Sequence, residues 1–508
     1  MSPIMLVPLT VRDFLDRAAH VYPDRIAVVD EPDQPAPGLG TLTFAQVAAR
    51  ARAQAARLDR LGVPVGGRVA VISQNSARLL VSFFGVSGWG RVLVPVNFRL
   101  ALPEIRYIVE HCGADVVYVD PALEHVLEHL TATHKFVLGA DDDLYLDGVE
   151  PAAWADPDEN ATATINYTSG TTARPKGVQL THRNIWLNAT VFGLHMGVHE
   201  DDVYLHTLPM FHCNGWGMPY ITTAMGVPQI VLRQVDGAEI LRRVERHGVT
   251  LLCAAPAVIN AVLDAAATWD GPIPGRDRVR IVVAGAPPPT RTIARVGEVL
   301  GWQFNQIYGL TETTPILTVN RDRAEWAGLP AEERARRLSR AGVPALGVSV
   351  RVDADGEVLA RGNHVLEGYW EQPEATAAAI TDGWFHTGDG GTIDAEGYVV
   401  ISDRKKDVII SGGENVSSIE VEDALTSHPA VREAAVIGTP DEKWGELVTA
   451  LVVTDGSGVT AEELVTHCRT FLAGYKIPRR IEFRTELART ATGKLQKFKL
   501  RESFGNGQ

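Results

Sequence analysis

At 508 residues the chain exceeds one ordinary domain, so at least two are expected. Its 45% hydrophobic and 22% charged content is that of a globular enzyme able to bury substantial cores. A formal net charge of −14 argues against a nucleic-acid-binding surface, though it leaves room for local basic sites that take anions.

Met1-Ser2-Pro3-Ile4-Met5 shows no basic segment followed by an apolar core, so no secretory leader is expected. Thr43–Leu61 reads as an Ala-rich helix, Arg68-Val69-Ala70-Val71-Ile72 as a buried strand, Ala77–Gly88 as a helix and Val92-Leu93-Val94-Pro95-Val96 as another strand. The most apolar run, Leu79–Trp89, is broken by Ser and Gly and falls short of the ~20 residues that span a bilayer, so no stable membrane insertion is expected. The alternation recurs at Ile240–His247, Leu251-Leu252-Cys253 and Ile281-Val282-Val283-Ala284. Strands alternating with helices imply an α/β fold with mostly parallel sheets, whose ligands sit in loops beyond the strand ends. His199-Glu200 is followed by Val203 where a metalloprotease helix needs its second histidine. Arg321–Arg340 is charged and Ala-rich, a solvated helical excursion. Near Gly397 the character changes. Gly397–Ile401 reads as a strand, and the charged run Asp403–Asp407 separates a compact tail. In that tail Ser417-x-x-Glu420 and Thr460-x-x-Glu463 have the spacing of capping boxes. Leu464, Cys468, Phe471 and Leu472 share one face of the second helix, and Val448–Val453 is strand-like. The boundary is placed at Arg404–Lys406. Cys112, Cys213, Cys253 and Cys468 form no CxxC pair, which fits a reducing, cytoplasmic location without a zinc or redox motif.

The most informative stretch is Tyr167-Thr168-Ser169-Gly170-Thr171-Thr172-Ala173-Arg174-Pro175-Lys176-Gly177. It gathers hydroxyls, glycines and a lysine between two strand-like segments, so it can offer backbone N–H, O–H and one cation to a polyphosphate. It is not a Walker loop, because Pro175 precedes Lys176 and Gly177 follows it. The motif resembles the phosphate loop of the adenylate-forming superfamily of acyl-CoA synthetases, peptide-synthetase adenylation domains and luciferases. Four further motifs follow in that superfamily's order.

The resemblance assigns the other motifs. Tyr308-Gly309-Leu310-Thr311-Glu312 would supply an adenine-flanking tyrosine, an α-phosphate contact at Thr311 and a Mg²⁺ ligand at Glu312, with Thr168 in the same metal shell. Gly285-Ala286-Pro287 would line adenine. Asp389, in His386-Thr387-Gly388-Asp389, would take the ribose hydroxyls, with Arg404 beside it. Lys494, after Gly493, would be the mobile catalytic lysine, whereas Lys497, Lys499 and Arg501 read as a solvated helix face. Gly412 and Gly413 would lie along the pantetheine of coenzyme A, and Trp444 could line that path or pack in a core. Lys406 matches the hinge. His212, Cys213, Gly215 and Trp216 match the border of the acyl pocket, with His212 beside the substrate carboxylate.

The resemblance therefore implies a large N-terminal α/β domain with a distorted barrel (1–403), a hinge (404–406) and a small mobile α+β domain (407–508). The activity implied is ATP- and Mg²⁺-dependent ligation of a small-molecule carboxylic acid to CoA through acyl-AMP. The PMFHCNGW stretch resembles that of ligases for short-to-medium aliphatic or benzoate-like acids. Delivery to a carrier protein or amine is the alternative acceptor reading. Homodimers are common in the family, but the sequence does not set the oligomeric state.

Overall fold

The computed structural model describes residues 5–140, 144–168, 174–404, 407–411, 414–441, 443–490 and 495–505. Two large sheets organise most of the chain. A nine-stranded sheet is built on the parallel strands Ile26–Val29, Gln229–Val231, Tyr204–His206, Leu251–Ala254, Arg280–Val283 and Gln303–Gly309. Antiparallel strands close its edges: Thr41–Thr43 on one side, Ile316–Arg321 and Val343–Pro344 on the other. The second sheet has seven strands. Its parallel centre includes Arg68–Ile72 and Val92–Val96, and the hairpin Thr162–Thr168/Lys176–Thr181 and the edge strand Gly368–Tyr369 extend it. These parallel strands are continuous apolar runs because both faces are covered. Helix Ala77–Gly85 is buried along its whole length.

The helices start where their caps dictate. Thr43 accepts from the backbone N–H of Gln46, whose side chain returns the bond, and helix Phe44–Arg60 follows. The helix expected to reach Gly88 ends at Gly85 and tightens into a 3₁₀ turn, Ser87–Trp89. The charged excursion forms helix Ala331–Leu338, although Ala335 and Leu338 on it are buried.

The barrel implied by the resemblance takes a different form. Strands Val348–Val352, Glu357–Gly362, Trp384–Ile393, Ile380–Thr381 and Val399–Arg404 make a five-stranded antiparallel sheet that stays open. Among the described residues no sheet closes on itself. Strand Val343–Pro344 pairs into the nine-stranded sheet, and the adjacent Gly342 bridges Val399 of the five-stranded sheet without closing a ring.

The smaller C-terminal unit has its own sheet, Glu414–Val416, Ile409–Ser411, Gly445–Thr454 and Val431–Asp441, with Arg480–Phe483 parallel to Gly445–Thr454. Its separate core includes Val421, Leu425, Val436, Val448, Leu464 and Cys468. Thr460 and Glu463 form the expected capping box. Ser417 caps helix Ser418–Thr426 by accepting from Glu420 N–H, but the Glu420 carboxylate pairs with Lys476 at 2.6 Å. The second helix stops at Cys468, so Phe471 lies beyond it and is 59% exposed.

Candidate active site

Strands Arg280–Val283 and Gln303–Gly309 run parallel with Val283 opposite Gln306. Their C-terminal ends therefore emerge side by side and carry Gly285-Ala286-Pro287 and Tyr308-Gly309 to the edge where α/β sheets bind ligands. Position 309 must be glycine, because a Cβ there would lie 1.5 Å from the Pro315 carbonyl oxygen. Tyr308 Oη donates to Asp389 Oδ2 at 2.7 Å, and Arg404 Nε lies 2.7 Å from Asp389 Oδ1. Antiparallel pairing places Asp389 opposite Arg404. Burial, then the Asp389 carboxylate, pushes the Tyr308 phenol well above its ordinary value, so Tyr308 stays a donor. The turn behind Asp389 is held by Glu357, which the motifs did not single out. Gly388 N–H donates to Glu357 Oε1 at 2.9 Å, and His386 Nδ1 is 3.3 Å from Oε2.

The phosphate motif is the hairpin expected of it, with Thr168 paired opposite Lys176. Ser169, Gly170, Thr171 and Thr172 lie outside the described residues. Lys176 Nζ sits 4.8 Å from the centroid of the Tyr369 ring, and Tyr369 Oη donates to Glu312 Oε1 at 3.0 Å. Tyr369 was also missed by motif reading. Its signal is confined to Gly368-Tyr369-Trp370, a two-residue strand ending at Tyr369 with a second aromatic just beyond it. The Glu312 carboxylate and the Thr168 hydroxyl are hard oxygen donors, the chemistry Mg²⁺ takes.

The acyl-pocket motif has an unusual backbone. Cys213, Asn214, Gly215 and Trp216 have φ of 47°, 51°, 57° and 62°, a left-handed turn. Non-glycine residues adopt this conformation at a cost, so the surroundings must hold it. Asn214 does so from within a buried network. Asn166 Nδ2 donates to Asn214 Oδ1 at 3.0 Å, and Asn214 Nδ2 donates to Thr164 Oγ1 at 2.9 Å. The turn brings Cys213 Sγ to 2.9 Å from Thr311 Oγ1, which joins the acyl motif to the Tyr308–Glu312 motif. Burial raises the Cys213 thiol to about 12, so it is neutral and a poor nucleophile. His212 is half-buried, its Nε2 3.9 Å from that sulfur. Trp216 is 4% exposed and belongs to the main core.

In the C-terminal unit, Lys406, Gly412, Gly413 and Lys494 lie outside the described residues. Trp444 sits in the turn between strands Val431–Asp441 and Gly445–Thr454. The Arg479 guanidinium is 4.1 Å and the Lys443 ammonium 5.1 Å from its ring. Arg479 is a cation that motif reading did not identify. Lys497 departs from the solvated face expected of it. Its side chain is 12% exposed and pairs with Glu422 at 2.8 Å. It also donates to Ser418 Oγ, which donates to Asp403 Oδ2 at 2.5 Å. This unit meets the larger one a few residues beyond Gly285-Ala286-Pro287: Thr290 N–H donates to Asp423 Oδ1 at 2.8 Å and Arg291 Nη1 to the His428 carbonyl at 2.8 Å.

The chain is thus a large α/β unit with a small C-terminal unit, and the comparisons place it. Residues 15–370 match the AMP-binding enzyme family and residues 420–494 match the AMP-binding enzyme C-terminal domain. The chain belongs to the AMP-binding enzymes. It is 38% identical to 2-methylpropanoate–CoA ligase CCL4 of Humulus lupulus, over 98% of this chain and 96% of that protein. It is 38% identical to 4-hydroxybutyrate–CoA ligase 2 of Metallosphaera sedula, over 98% of this chain and 94% of that one. Among solved structures it resembles the anthranilate CoA ligase AuaEII in complex with anthranoyl-AMP, with TM-score 0.87 and 28% identity over 98% of both chains. It also resembles O-succinylbenzoate coenzyme A synthetase (MenE) of Bacillus subtilis in complex with ATP and magnesium ion. There the TM-score is 0.82 and the identity 30%, over 97% of this chain and 99% of that one.

Proposed function

We infer that this AMP-forming acyl-CoA ligase activates a carboxylic acid of modest size, short-to-medium aliphatic or aromatic, as acyl-AMP and passes it to CoA. The observation that carries the reading is the convergence of Tyr308, Asp389 and Arg404 within 2.7 Å contacts, beside the Lys176–Tyr369–Glu312 group. A carboxylate is a poor acyl donor because its oxide leaves badly. Attack of its oxygen on the α-phosphorus of ATP forms a mixed anhydride and expels pyrophosphate. The attack brings two anions together, so cations must lie where the charge gathers.

In this reading Asp389 accepts from the ribose hydroxyls, Arg404 steadies it, and Tyr308 flanks adenine with Gly285, Ala286 and Pro287. Lys176, Thr168 and the loop residues 169–172 hold the phosphates, and Thr311 contacts the α-phosphate. Glu312 and Thr168 would hold Mg²⁺, which when bound neutralises phosphate charge. Lys494 bridges the carboxylate and the α-phosphate. His212 orients the acid, and Cys213, Gly215 and Trp216 shape its chamber. For the second step the small domain turns about 404–406, with Lys406 absorbing the backbone change. The CoA thiolate then displaces AMP along Gly412 and Gly413. Trp444, flanked by Arg479 and Lys443, offers an aromatic face between cations for a polyanionic nucleotide end. Relatives named for 2-methylpropanoate, 4-hydroxybutyrate and acetate support a small acid. A cytoplasmic location is part of the same reading.

A panel of acids, from acetate through octanoate to palmitate with benzoate and anthranilate, assayed for ATP- and CoA-dependent thioester formation, tests it. Acids of modest size should outperform palmitate in kcat/KM. Lys494→Ala should cost adenylation ~2.7–4 kcal/mol in transition-state stabilisation and affect thioester formation from supplied acyl-AMP far less. Adenylate formation with amines or carrier proteins as the better acceptors would support the alternative reading.

A further inference from the structure

Tyr369 touches both charged groups on the phosphate side of the site through different parts of one side chain. Its hydroxyl donates to Glu312 Oε1 at 3.0 Å and its ring carries Lys176 Nζ at 4.8 Å. An ordinary core tyrosine buries its ring and lets the hydroxyl find some acceptor. Three observations set Tyr369 apart. Its acceptor is a carboxylate, which makes the bond charge-assisted. Its ring meets a cation instead of another apolar group alone. Its backbone is also fixed on several sides. Strand Gly368–Tyr369 pairs with the lysine-bearing strand at Gln179 and Val178, and Trp370 N–H donates to the Gly177 carbonyl at 2.7 Å. Leu366 N–H donates to the Glu312 carbonyl at 2.7 Å, and Tyr369 N–H to Thr376 Oγ1 at 2.9 Å.

One short strand thus ties the phosphate hairpin to the segment that carries Glu312. We propose that Tyr369 is a positioning residue that orients Glu312 for a divalent cation with its hydroxyl and Lys176 for the nucleotide phosphates with its ring. The proposal rests on the assignment of Glu312 and Lys176 made above. A carboxylate with one oxygen fixed by a donor keeps its second oxygen for a cation.

The two functions separate by substitution. Tyr369→Phe keeps the ring under Lys176 and removes the donor, whereas Tyr369→Leu removes both. Calorimetric titration of the full chain with a non-hydrolysable ATP analogue, with and without Mg²⁺, reads each part. Tyr369→Phe should leave metal-free nucleotide affinity within about twofold and raise the Mg²⁺ half-saturation about tenfold, the scale of one charge-assisted bond. Tyr369→Leu should weaken the metal-free nucleotide as well. Tyr369→Phe should add nothing further to Glu312→Gln in a double-mutant cycle. A Tyr369→Phe protein with wild-type Mg²⁺ dependence, or with equal loss in both titrations, would overturn the proposal. So would additive losses in the cycle. Acid-dependent pyrophosphate exchange by the wild type separates the two levels. Its absence for every acid refutes the site assignment itself, while exchange together with an unaltered Tyr369→Phe protein refutes the tyrosine's role alone.

Discussion

Trp216 lies in the left-handed turn, which runs on to Gly217 at φ 83°; the residue is 4% exposed, and its carbonyl accepts from Asn188 Nδ2 at 3.4 Å. The side chain is packed within the main core, and the proposed function makes it a wall of the acid's chamber as well. Trp216→Ala should cost ~3–5 kcal/mol of stability from the cavity alone. In the variant that remains folded, the acid profile should shift toward longer chains, by a graded 1–3 kcal/mol or so per methylene accommodated. A chain-length profile unchanged in a folded Trp216→Ala protein would assign the indole to the core and remove it from the chamber wall. The family resemblance singled out Trp216 and Cys213 together, but not the turn that orients them. The run of positive φ from Cys213 to Gly217 leans on Asn166 and Thr164, some fifty residues earlier in sequence, and no local preference announces such support.

The C-terminal segment shows why charge is a weak guide to exposure at the level of elements. Lys497, Lys499 and Arg501 are the same type of residue at alternate positions. Lys499 is exposed, Arg501 pairs with Asp407 at 2.6 Å, and Lys497 enters the space beside Glu422, Ser418 and Asp403. Glu422 also accepts from Val436 N–H at 2.8 Å, so its oxygens are engaged from strand and helix together. Lys497→Met leaves Glu422 in a poor dielectric without its cation and should destabilise by ~3–5 kcal/mol, measured by urea unfolding. The double variant Lys497→Met/Glu422→Met should recover much of that loss, because a buried ion pair adds little over an apolar pair of similar size. Equal destabilisation of single and double variants would show that Lys497 matters through its hydrocarbon stem instead. The elements themselves were legible: caps at Thr43 and Thr460 and apolar runs such as Val92–Val96 fix type and place within a few residues. The salt bridge was not, since it joins the end of the chain to a helix more than seventy residues earlier. Tyr369 and Glu357 escaped for the same reason, as each acts through a partner distant in sequence.

At the scale of the whole molecule, stability is coupled to pH most strongly through two histidines buried at structural junctions; burial lowers His111, His195, His247, His364 and His467 as well. His182 opens helix His182–Met196 and is 0% exposed, and its Nδ1 accepts from Val11 N–H at 3.3 Å. His206 ends a central strand of the nine-stranded sheet at 1% exposure, with Nε2 2.9 Å from Gln229 Oε1. Burial depresses both from 6.5 to about 4. Protonating His182 would also place a second donor against the Val11 N–H. In the unfolded chain both rings titrate near 6.5, so between that value and about 4 the unfolded state binds more protons than the folded one. Stability is therefore full above pH 6.5 and declines as the pH falls toward 4, by about 3 kcal/mol for each histidine. Carboxylates held low, such as Glu159 under the Leu9 N–H, act in a lower window, below their ordinary 4.5. Urea midpoints measured from pH 8 to 4 should accordingly be flat at first and then slope downward from near 6.5, before the carboxylates titrate. His206→Gln should remove about one proton from that slope whatever it does to absolute stability. A midpoint that stays level down to pH 5 would mean that the two rings are hydrated enough to charge within the folded protein.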